Sequence, residues 1–132
     1  MPILVDSNVI LDVVGGDSPW KKWSSLALEQ NADQDLLVNA MIYAELCGNA
    51  KSVEEVDVLL VRLNLLLSEI PRPALFLVSK VHLAYRRRGG TRSTGLPDFF
   101  IGAHAQALGI PILTRDKARY QTYFPGVSLI CP

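Results

Sequence analysis

Residues 96–116, LPDFFIGAHAQALGIPILTRD, form the stretch that decides the fold. Pro97 to Leu108 predicts a helix, because a proline stands in its first turn and a glycine follows its last residue. Ile110 to Thr114 is a short apolar run typical of a buried strand. The stretch is almost entirely apolar or small, yet Asp98 and Asp116 stand at its two ends. A helix that leaves a sheet edge and a strand that returns to it place both carboxylates on one side of the sheet.

The rest of the chain repeats this alternation of strands and helices. The predicted strands are Ile3–Val5, Leu36–Val38, Leu65–Ile70, Ile110–Thr114 and Val127–Ile130. The predicted helices are Ser7–Val14, a helix from near Ser18 to Gln30, Asn39–Ala50, Val53–Asn64, Pro73–Arg88, Pro97–Leu108 and Lys117–Tyr123, with residues 91–96 as a loop. Alternating strands and helices indicate an α/β fold of three layers, α/β/α, with a central, mostly parallel sheet of about five strands.

Composition indicates a globular protein. A chain of 132 residues is about the size of one domain, so residues 1–132 are predicted to form a single domain. Apolar residues make up 49%, but no apolar run approaches the roughly 18 residues of a membrane helix. The amino terminus lacks the basic lead of a secretory signal. Cys47 and Cys131 match no metal or redox spacing, which favours reduced thiols and a cytoplasmic location.

Charge is balanced over the whole chain but divided between its halves. Thirteen basic residues match thirteen acidic ones, and a neutral total argues against nucleic-acid binding. Residues 1–69, however, contain four basic and eleven acidic side chains, whereas residues 70–132 contain nine and two. This division of −7 against +7 suggests a surface for a polyanion or a partner.

Four carboxylates are candidates for one site. Asp6 directly follows the first predicted strand and Asp116 follows the fourth, and ligands of such sheets gather beyond the carboxyl ends of strands. Asp98 lies in the first turn of an apolar helix, and Glu45 lies mid-helix among apolar neighbours. Ordinary structural roles stay open for each of them: an N-cap for Asp6 or Asp116, a helix-dipole partner for Asp98 and a solvated side chain for Glu45.

Clustered carboxylates need a cation. Two of them about 5 Å apart repel by about 3 kcal/mol at an effective dielectric constant near 20. Oxygen ligands without cysteine or paired histidines favour a hard ion, Mg²⁺ or Mn²⁺. Such an ion serves phosphoryl transfer, because it polarises a phosphodiester and activates water.

The sequence resembles the PIN domain, and in particular VapC-type toxins of bacterial toxin–antitoxin pairs, over nearly its whole length. The motifs are Asp6-Ser7-Asn8, Glu45 in Ala-Glu-Leu, Leu96-Pro97-Asp98 and Leu113-Thr114-Arg115-Asp116. The resemblance implies a metal-dependent endoribonuclease that a cognate VapB-type antitoxin inhibits. It also implies that Asp6 and Asp98 ligate the metal, that Glu45 and Asp116 complete the acidic site, and that Asn8 and Thr114 orient carboxylates or water.

Basic and apolar runs suggest binding surfaces. Arg86, Arg87 and Arg88, followed by Arg92, are predicted to hold RNA phosphates, although arginines also complement the end of a helix. Arg115 is a further RNA candidate, and with Lys117 and Arg119 it could neutralise phosphate or the acidic cluster itself. The apolar residues 58–61 and 63–67 exceed what one helix face buries, which suggests a homodimer surface or an antitoxin groove. His104, among apolar neighbours, is predicted to be a packed core histidine.

Two other functions compete with a nuclease. A receiver domain of a signalling pathway is also a small doubly wound sheet with an acidic pocket and Mg²⁺. It needs adjacent acids after the first strand and a late lysine, where this chain has Ser7-Asn8 and Arg115-Asp116. A non-catalytic binding module, whose acids merely cap helices, predicts no stabilisation by divalent metal.

Overall fold

Strands and helices alternate along the chain in the computed structural model, which describes residues 1–90 and 95–132. The strands are β1 (Pro2–Val5), β2 (Asp35–Val38), β3 (Leu65–Leu67), β4 (Ile112–Leu113) and β5 (Leu129–Ile130). The helices are α1 (Ser7–Val14), α2 (Lys21–Gln30), α3 (Ala40–Cys47), α4 (Val53–Arg62), α5 (Arg72–Arg87), α6 (Leu96–Leu108) and α7 (Ala118–Gln121). Each predicted strand and helix is present, and the predicted α/β class is confirmed.

The five strands form one parallel sheet in the order β3-β2-β1-β4-β5. The chain builds outward from β1 to β3 and then crosses to the other side of β1 with β4. The connections that leave β1 and β4 therefore diverge and open a crevice at the carboxyl ends of these two strands. Receiver domains have the order 2-1-3-4-5, so the sheet does not have the receiver topology.

Strand β3 ends earlier than the sequence predicts. The apolar run continues to Ile70, but the last paired residue is Leu67, opposite Val38. Val38 is the last residue of β2. Strand β3 lies at the edge of the sheet, with β2 as its neighbour. Ser68 donates one further backbone bond to Val38 at 2.7 Å, and beyond it no partner strand remains. Strand length is therefore set by the neighbour, which an apolar pattern does not reveal.

Helix α6 is apolar nearly all round because it lies between two hydrophobic clusters. Ile101 and Ala105 belong to the main core with β1 and β4. Phe99 and Ala103 belong to a second cluster, which α5 and the segment after α7 complete. The other buried members of that second cluster are Ala74, Val78 and Phe124. Burial on two sides explains why this helix has so few polar side chains.

Two buried polar side chains, Asn39 and His104, fix the structure near the carboxyl ends of the strands. Asn39 caps α3 by accepting a hydrogen bond from the Ile42 amide at 3.0 Å. The amide group of Asn39 lies 3.1 Å from Nδ1 of His104, which is fully buried. The prediction of a packed core histidine is thereby confirmed. Among the residues that the structure describes, no helix is both long and apolar enough to cross a membrane.

Candidate active site

Asp6 is the centre of the candidate site. It directly follows β1, caps α1 and is fully buried. One carboxylate oxygen, Oδ1, accepts from the Ser7 amide at 2.8 Å. The other, Oδ2, accepts from the Thr114 hydroxyl at 2.9 Å, the Tyr120 hydroxyl at 2.8 Å and the Asn8 amide group at 3.3 Å. A buried carboxylate needs such donors because its hydration has been removed.

Thr114 and Asn8 hold this arrangement together across the crevice between β1 and β4. The Thr114 hydroxyl donates to Asp6 and accepts from the Asn8 side chain at 3.2 Å and from the Asp116 amide at 3.1 Å. One donor and two acceptor positions are all that a hydroxyl has. Asn8 in turn accepts from the Arg115 amide at 3.3 Å. The two polar residues predicted beside the acids therefore do contact Asp6.

Arg119 connects three of the four predicted acids. Its Nη1 donates to Asp6 Oδ1 at 2.6 Å and its Nη2 donates to Glu45 Oε2 at 2.9 Å. Its Nε donates to Asp98 Oδ1. The guanidinium is largely buried, with 14% of its side-chain surface exposed, and Glu45 and Asp98 are partly exposed. Three carboxylates from distant parts of the chain thus converge on one cation.

Three different helices carry Arg119 and the two acids that it connects to Asp6. Helix α3 begins directly after β2, with Asn39 as its cap, and presents Glu45 in its second turn. Helix α6 has a proline in its first turn and presents Asp98 there. Helix α7 carries Arg119 and Tyr120. Glu45 is also tied to the start of α1, because its Oε1 accepts from the Ser7 hydroxyl at 3.1 Å.

The charges in this cluster shift one another's pKa values. Burial, followed by the nearby charges of Asp6 and Glu45, raises the pKa of Asp98, although Arg119 opposes the shift. Burial by itself would lower the pKa of Arg119, but Asp6, Tyr120 and Asp98 together raise it. Burial and the charge of Asp6 raise the pKa of Tyr120, so its hydroxyl remains a donor. The cluster therefore favours cations and protons at this position.

Asp116 lies at the margin of the site. Its backbone amide donates to Thr114, but its side chain is exposed and forms no hydrogen bond or ion pair with residues 1–90 or 95–132. Strand β4 thus brings Asp116 to the expected edge of the sheet. The structure does not include its carboxylate in the cluster around Arg119.

A second buried ion pair was not predicted. Asp12, which is 3% exposed, accepts from Arg115 Nε at 2.7 Å, from the Ser18 hydroxyl at 2.7 Å and from the Ser24 hydroxyl at 2.8 Å. Burial would raise the pKa of Asp12, but these donors together lower it. Arg115 also lies over the Trp20 ring, 6.0 Å from its centroid. Arg115 thus links α1, α2 and the loop after β4.

The basic run lies at the end of α5, where it is exposed. Arg86 and Arg87 stand in the last turn, and Arg88 is the residue that ends the helix. The Arg88 guanidinium lies 5.8 Å from the Tyr123 ring centroid. Tyr123 contacts Phe99 edge-on at 5.2 Å, and Phe99 follows Asp98 in α6. The run therefore packs beside the helix end that carries Asp98. Arg92, the fourth residue of the predicted run, lies outside the described residues, as does most of the predicted loop 91–96.

The carboxylate oxygens of Asp6, Glu45 and Asp98 are suitable ligands for a hard divalent cation. All three side chains offer carboxylate oxygens, the ligands that Mg²⁺ and Mn²⁺ prefer, and they already surround a positive charge. In the part of the chain that the structure describes, no three acidic, imidazole or thiol groups are close enough to hold a metal jointly. The guanidinium of Arg119 separates the carboxylates. The residues therefore fit the ion chemically, with Arg119 in its place.

Sequence reasoning missed several partners of the acids. Nothing in the sequence shows that the Tyr120 hydroxyl reaches Asp6. Ser7 and Asp12 gave no periodic signal either. Arg119 was not missed: with Arg115 and Lys117 it was predicted to neutralise phosphate or the acidic cluster, and it does contact the acids. A hydrogen bond between Ser7 and Glu45 joins positions 38 residues apart, and such contacts follow from the sheet order rather than from local pattern.

The sequence matches the model of a known protein family. Residues 3–125 match the PIN domain family. No curated protein sequence is a significant match to this chain.

Comparison with solved structures gives the same fold in toxin–antitoxin complexes. VapBC2 from Rickettsia felis, bound to a promoter DNA fragment, contains a chain with a TM-score of 0.74 and 16% identity, covering 99% of this chain and 98% of that one. DNA-bound VapBC from Salmonella typhimurium gives a TM-score of 0.73 and 15% identity, with 99% and 98% covered. FitAcB from Neisseria gonorrhoeae gives 0.67 and 19%, with 97% and 96% covered. At these identities the likeness concerns the fold.

Proposed function

This chain belongs to the PIN domain family, and on that premise we propose that it is a metal-dependent endoribonuclease that hydrolyses RNA phosphodiester bonds. PIN domains are generally nucleases. The observation that carries the proposal is the convergence of Asp6, Glu45 and Asp98 on one cation. They meet at the crevice beside β1 and β4, where ligands of parallel sheets bind. A helix cap alone explains none of these three ion pairs.

Asp6 and Asp98 would hold the metal, Mg²⁺ or Mn²⁺, and Glu45 and Asp116 would complete the acidic site. Such an ion, when bound, polarises a phosphodiester and lowers the pKa of an attacking water. Asp116 is exposed and without a side-chain partner in the described part of the chain, so its carboxylate is available to a substrate water. Glu45 is partly exposed and is available in the same way.

Asn8, Thr114 and Tyr120 would keep the Asp6 carboxylate in one orientation. Each contacts Oδ2 of Asp6, at 3.3, 2.9 and 2.8 Å respectively. This leaves Oδ1, which faces Arg119, as the oxygen directed toward the other acids. Fixed donors around a ligand side chain reduce the reorganisation needed when a metal binds.

RNA would approach over the basic end of α5 and the loop after β4. Arg86, Arg87 and Arg88 are exposed beside the helix that carries Asp98, and their charges can neutralise phosphates. Arg115 uses Nε for Asp12, and its remaining donors can face a phosphate. Arg92 belongs to the same predicted set.

A toxin role and a cognate antitoxin are the finer parts of the proposal. Similar chains occur in complexes named VapBC and FitAcB, which supports a VapB-type antitoxin as partner and a cytoplasmic setting.

A cavity of about 590 Å³ lies between the end of α1, α3 and α4, with Leu11, Leu46 and Leu59 in its lining. An apolar groove of this kind suits an amphipathic segment. Val58→Asp, at an exposed residue of this lining, should weaken binding of a VapB-type antitoxin in a pull-down with the tagged protein.

A homodimer is proposed from the apolar surface that remains uncovered. Leu66 and Leu67 of the edge strand β3 and Phe76 of α5 are 53%, 60% and 67% exposed. Large exposed apolar side chains of this kind favour contact with another protein surface. Light scattering of the purified protein, with Phe76→Lys as the disrupting variant, tests this part separately.

Brief induction in growing cells tests the nuclease and toxin proposals together. Wild-type protein is expected to arrest growth and to create new RNA ends, which sequencing of those ends maps to a defined set of sites. Asp98→Asn is expected to create none while accumulating as folded protein, because the substitution retains the size and removes the charge. Identical growth and identical RNA ends for both proteins, at equal expression, would contradict the proposal.

A further inference from the structure

We propose that Arg119 is a displaceable internal counter-ion, which occupies the place of the divalent cation and sets the metal concentration at which the site fills. This inference rests on the proposed metal-dependent function. Arg119 Nη1, Nη2 and Nε each donate to a different acid, Asp6, Glu45 and Asp98. One guanidinium thereby compensates the cluster as a metal ion would.

The geometry makes Arg119 and a metal competitors for the same oxygens. Oδ2 of Asp6 already accepts from three side chains, and Oδ1 accepts from the Ser7 amide and Arg119. Asp98 Oδ1 accepts from Arg119. A cation held by Asp6 and Asp98 would therefore compete with Nη1 and Nε of Arg119 for these carboxylates. Positive charges repel at this distance, so the guanidinium cannot remain beside the ion without weakening its binding.

Arg119 is also placed where it can leave. It stands on the four-residue helix α7, and its side chain retains 14% exposure to solvent. An arginine side chain has several rotatable bonds, so it can swing outward while the backbone stays in place. Tyr120, the next residue, is fully buried and hydrogen-bonded to Asp6, and it would retain the helix after Arg119 departs.

In the absence of metal, Arg119 has a structural task. Asp6 is fully buried, and an uncompensated buried charge is strongly destabilising. The arginine therefore maintains three acids in a nearly assembled site until a metal takes over. Loss of Arg119 has two opposite consequences: the metal-free protein becomes less stable, and the affinity for metal increases.

Calorimetric titration with Mn²⁺ tests the competition. Arg119→Gln is expected to lower the Mn²⁺ dissociation constant at least about 10-fold relative to wild type, since a neighbouring charge has been removed. Lys117→Gln is the matched control: it removes the same charge from an exposed residue two positions away, and should change the constant by less than about 3-fold. Equal or weaker binding by Arg119→Gln would overturn the inference. Wild-type protein that binds no Mn²⁺ would instead contradict the proposed function.

The side-chain Nε–H resonance of Arg119 tests displacement in the wild-type protein, where folding of a variant is not at issue. The resonance is assigned by its loss in Arg119→Lys. In the metal-free protein its chemical shift should differ from those of the exposed arginines. As Mg²⁺ saturates the site, the shift should move to the values of the exposed arginines. An unmoved resonance at saturation would show that the guanidinium stays on the acids, and the inference would then be wrong.

Discussion

The Tyr120 hydroxyl is one of five donors that surround the buried Asp6 carboxylate. Of the five, it is the donor that a substitution can remove with the smallest other change to the structure. It donates to Oδ2 at 2.8 Å from a fully buried ring. Removal of a single oxygen leaves the ring packing intact. The contribution of this hydrogen bond to stability and to Asp6 orientation can therefore be isolated.

Tyr120→Phe should lower the free energy of unfolding by about 1.5–3 kcal/mol, the range for hydrogen bonds to charged groups. It should also slow RNA cleavage, because one of the donors that orient Asp6 is removed. Urea denaturation measures the first effect. Tyr123→Phe is the control, since the Tyr123 hydroxyl has no hydrogen bond to residues 1–90 or 95–132. An equally large destabilisation in the control would show that the hydrogen bond to Asp6 is not the cause.

His104 makes the stability of the fold dependent on pH. Burial lowers its pKa from the ordinary value of 6.5, so the native state retains a neutral imidazole while the unfolded chain takes up a proton. Stability is therefore complete above about pH 6.5 and declines as pH falls from there toward the lower folded pKa. Unfolding free energies measured from about pH 7.5 to 5.5 should fall for wild type and change less for His104→Gln. A slope unchanged in His104→Gln would contradict the account.

At the scale of elements, α6 shows how a sequence that is apolar on all sides is used. Its Gly102 allows the Phe124 ring to approach the helix backbone, because a Cβ at this position would lie 2.2 Å from a ring carbon. The second hydrophobic cluster, which contains Phe124, depends on this approach. The glycine is thus required by packing rather than by backbone conformation.

Gly102→Ala should destabilise the protein by about 1–3 kcal/mol through overpacking, despite the better helix propensity of alanine, worth about 1 kcal/mol. Gly126→Ala serves as control, because a Cβ there would meet no atom within 4 Å. Thermal unfolding compares the two variants. A melting temperature of Gly102→Ala equal to or above that of wild type would contradict the packing argument.

The elements themselves were predictable because each has a local signal. Ser7–Val14 is predicted and observed with the same bounds, since Asp6 caps it and two glycines follow. The positions of Asp6 and Asp98 near one sheet edge were also predictable, because Asp6 ends a strand and Asp98 begins the helix that leads back to the next strand. Most partners of these acids were not. Tyr120 and Ser7 reach the site through the sheet order and side-chain direction, which have no periodicity in the sequence, whereas Arg119 was predictable as a basic residue that could neutralise the acids.

At the scale of the whole molecule, acidic and basic halves meet at the crevice. Residues 1–69 supply Asp6 and Glu45, while residues 70–132 supply Arg119 and the basic run. The charges of Asp6 and Glu45 are compensated inside the protein by Arg119. The exposed arginines at the end of α5 have no such compensation among the ion pairs of the described residues. They therefore remain available to a polyanion.

Arg86→Gln combined with Arg87→Gln should weaken RNA binding and raise KM with little change in kcat. Removing two arginine–phosphate interactions should reduce the slope of log affinity against log salt by about 1.4 for single-stranded RNA, about 0.7 for each interaction. Lys21→Gln with Lys22→Gln, a pair in the acidic half, is the matched control. Filter binding at several salt concentrations measures the slopes. Equal slopes for both double variants would show that the basic run does not bind RNA.

Cleavage of total RNA by the purified protein, with and without divalent metal, tests the central claim most directly. Wild-type protein should cut RNA in the presence of Mg²⁺ or Mn²⁺, lose this activity in a chelator and recover it when the metal is restored. Asp6→Asn should remain inactive throughout while its circular dichroism stays that of a folded protein. Cleavage that persists in the chelator, or that Asp6→Asn performs at the wild-type rate, would contradict the assignment of the acids around Arg119 as a metal-dependent nuclease site.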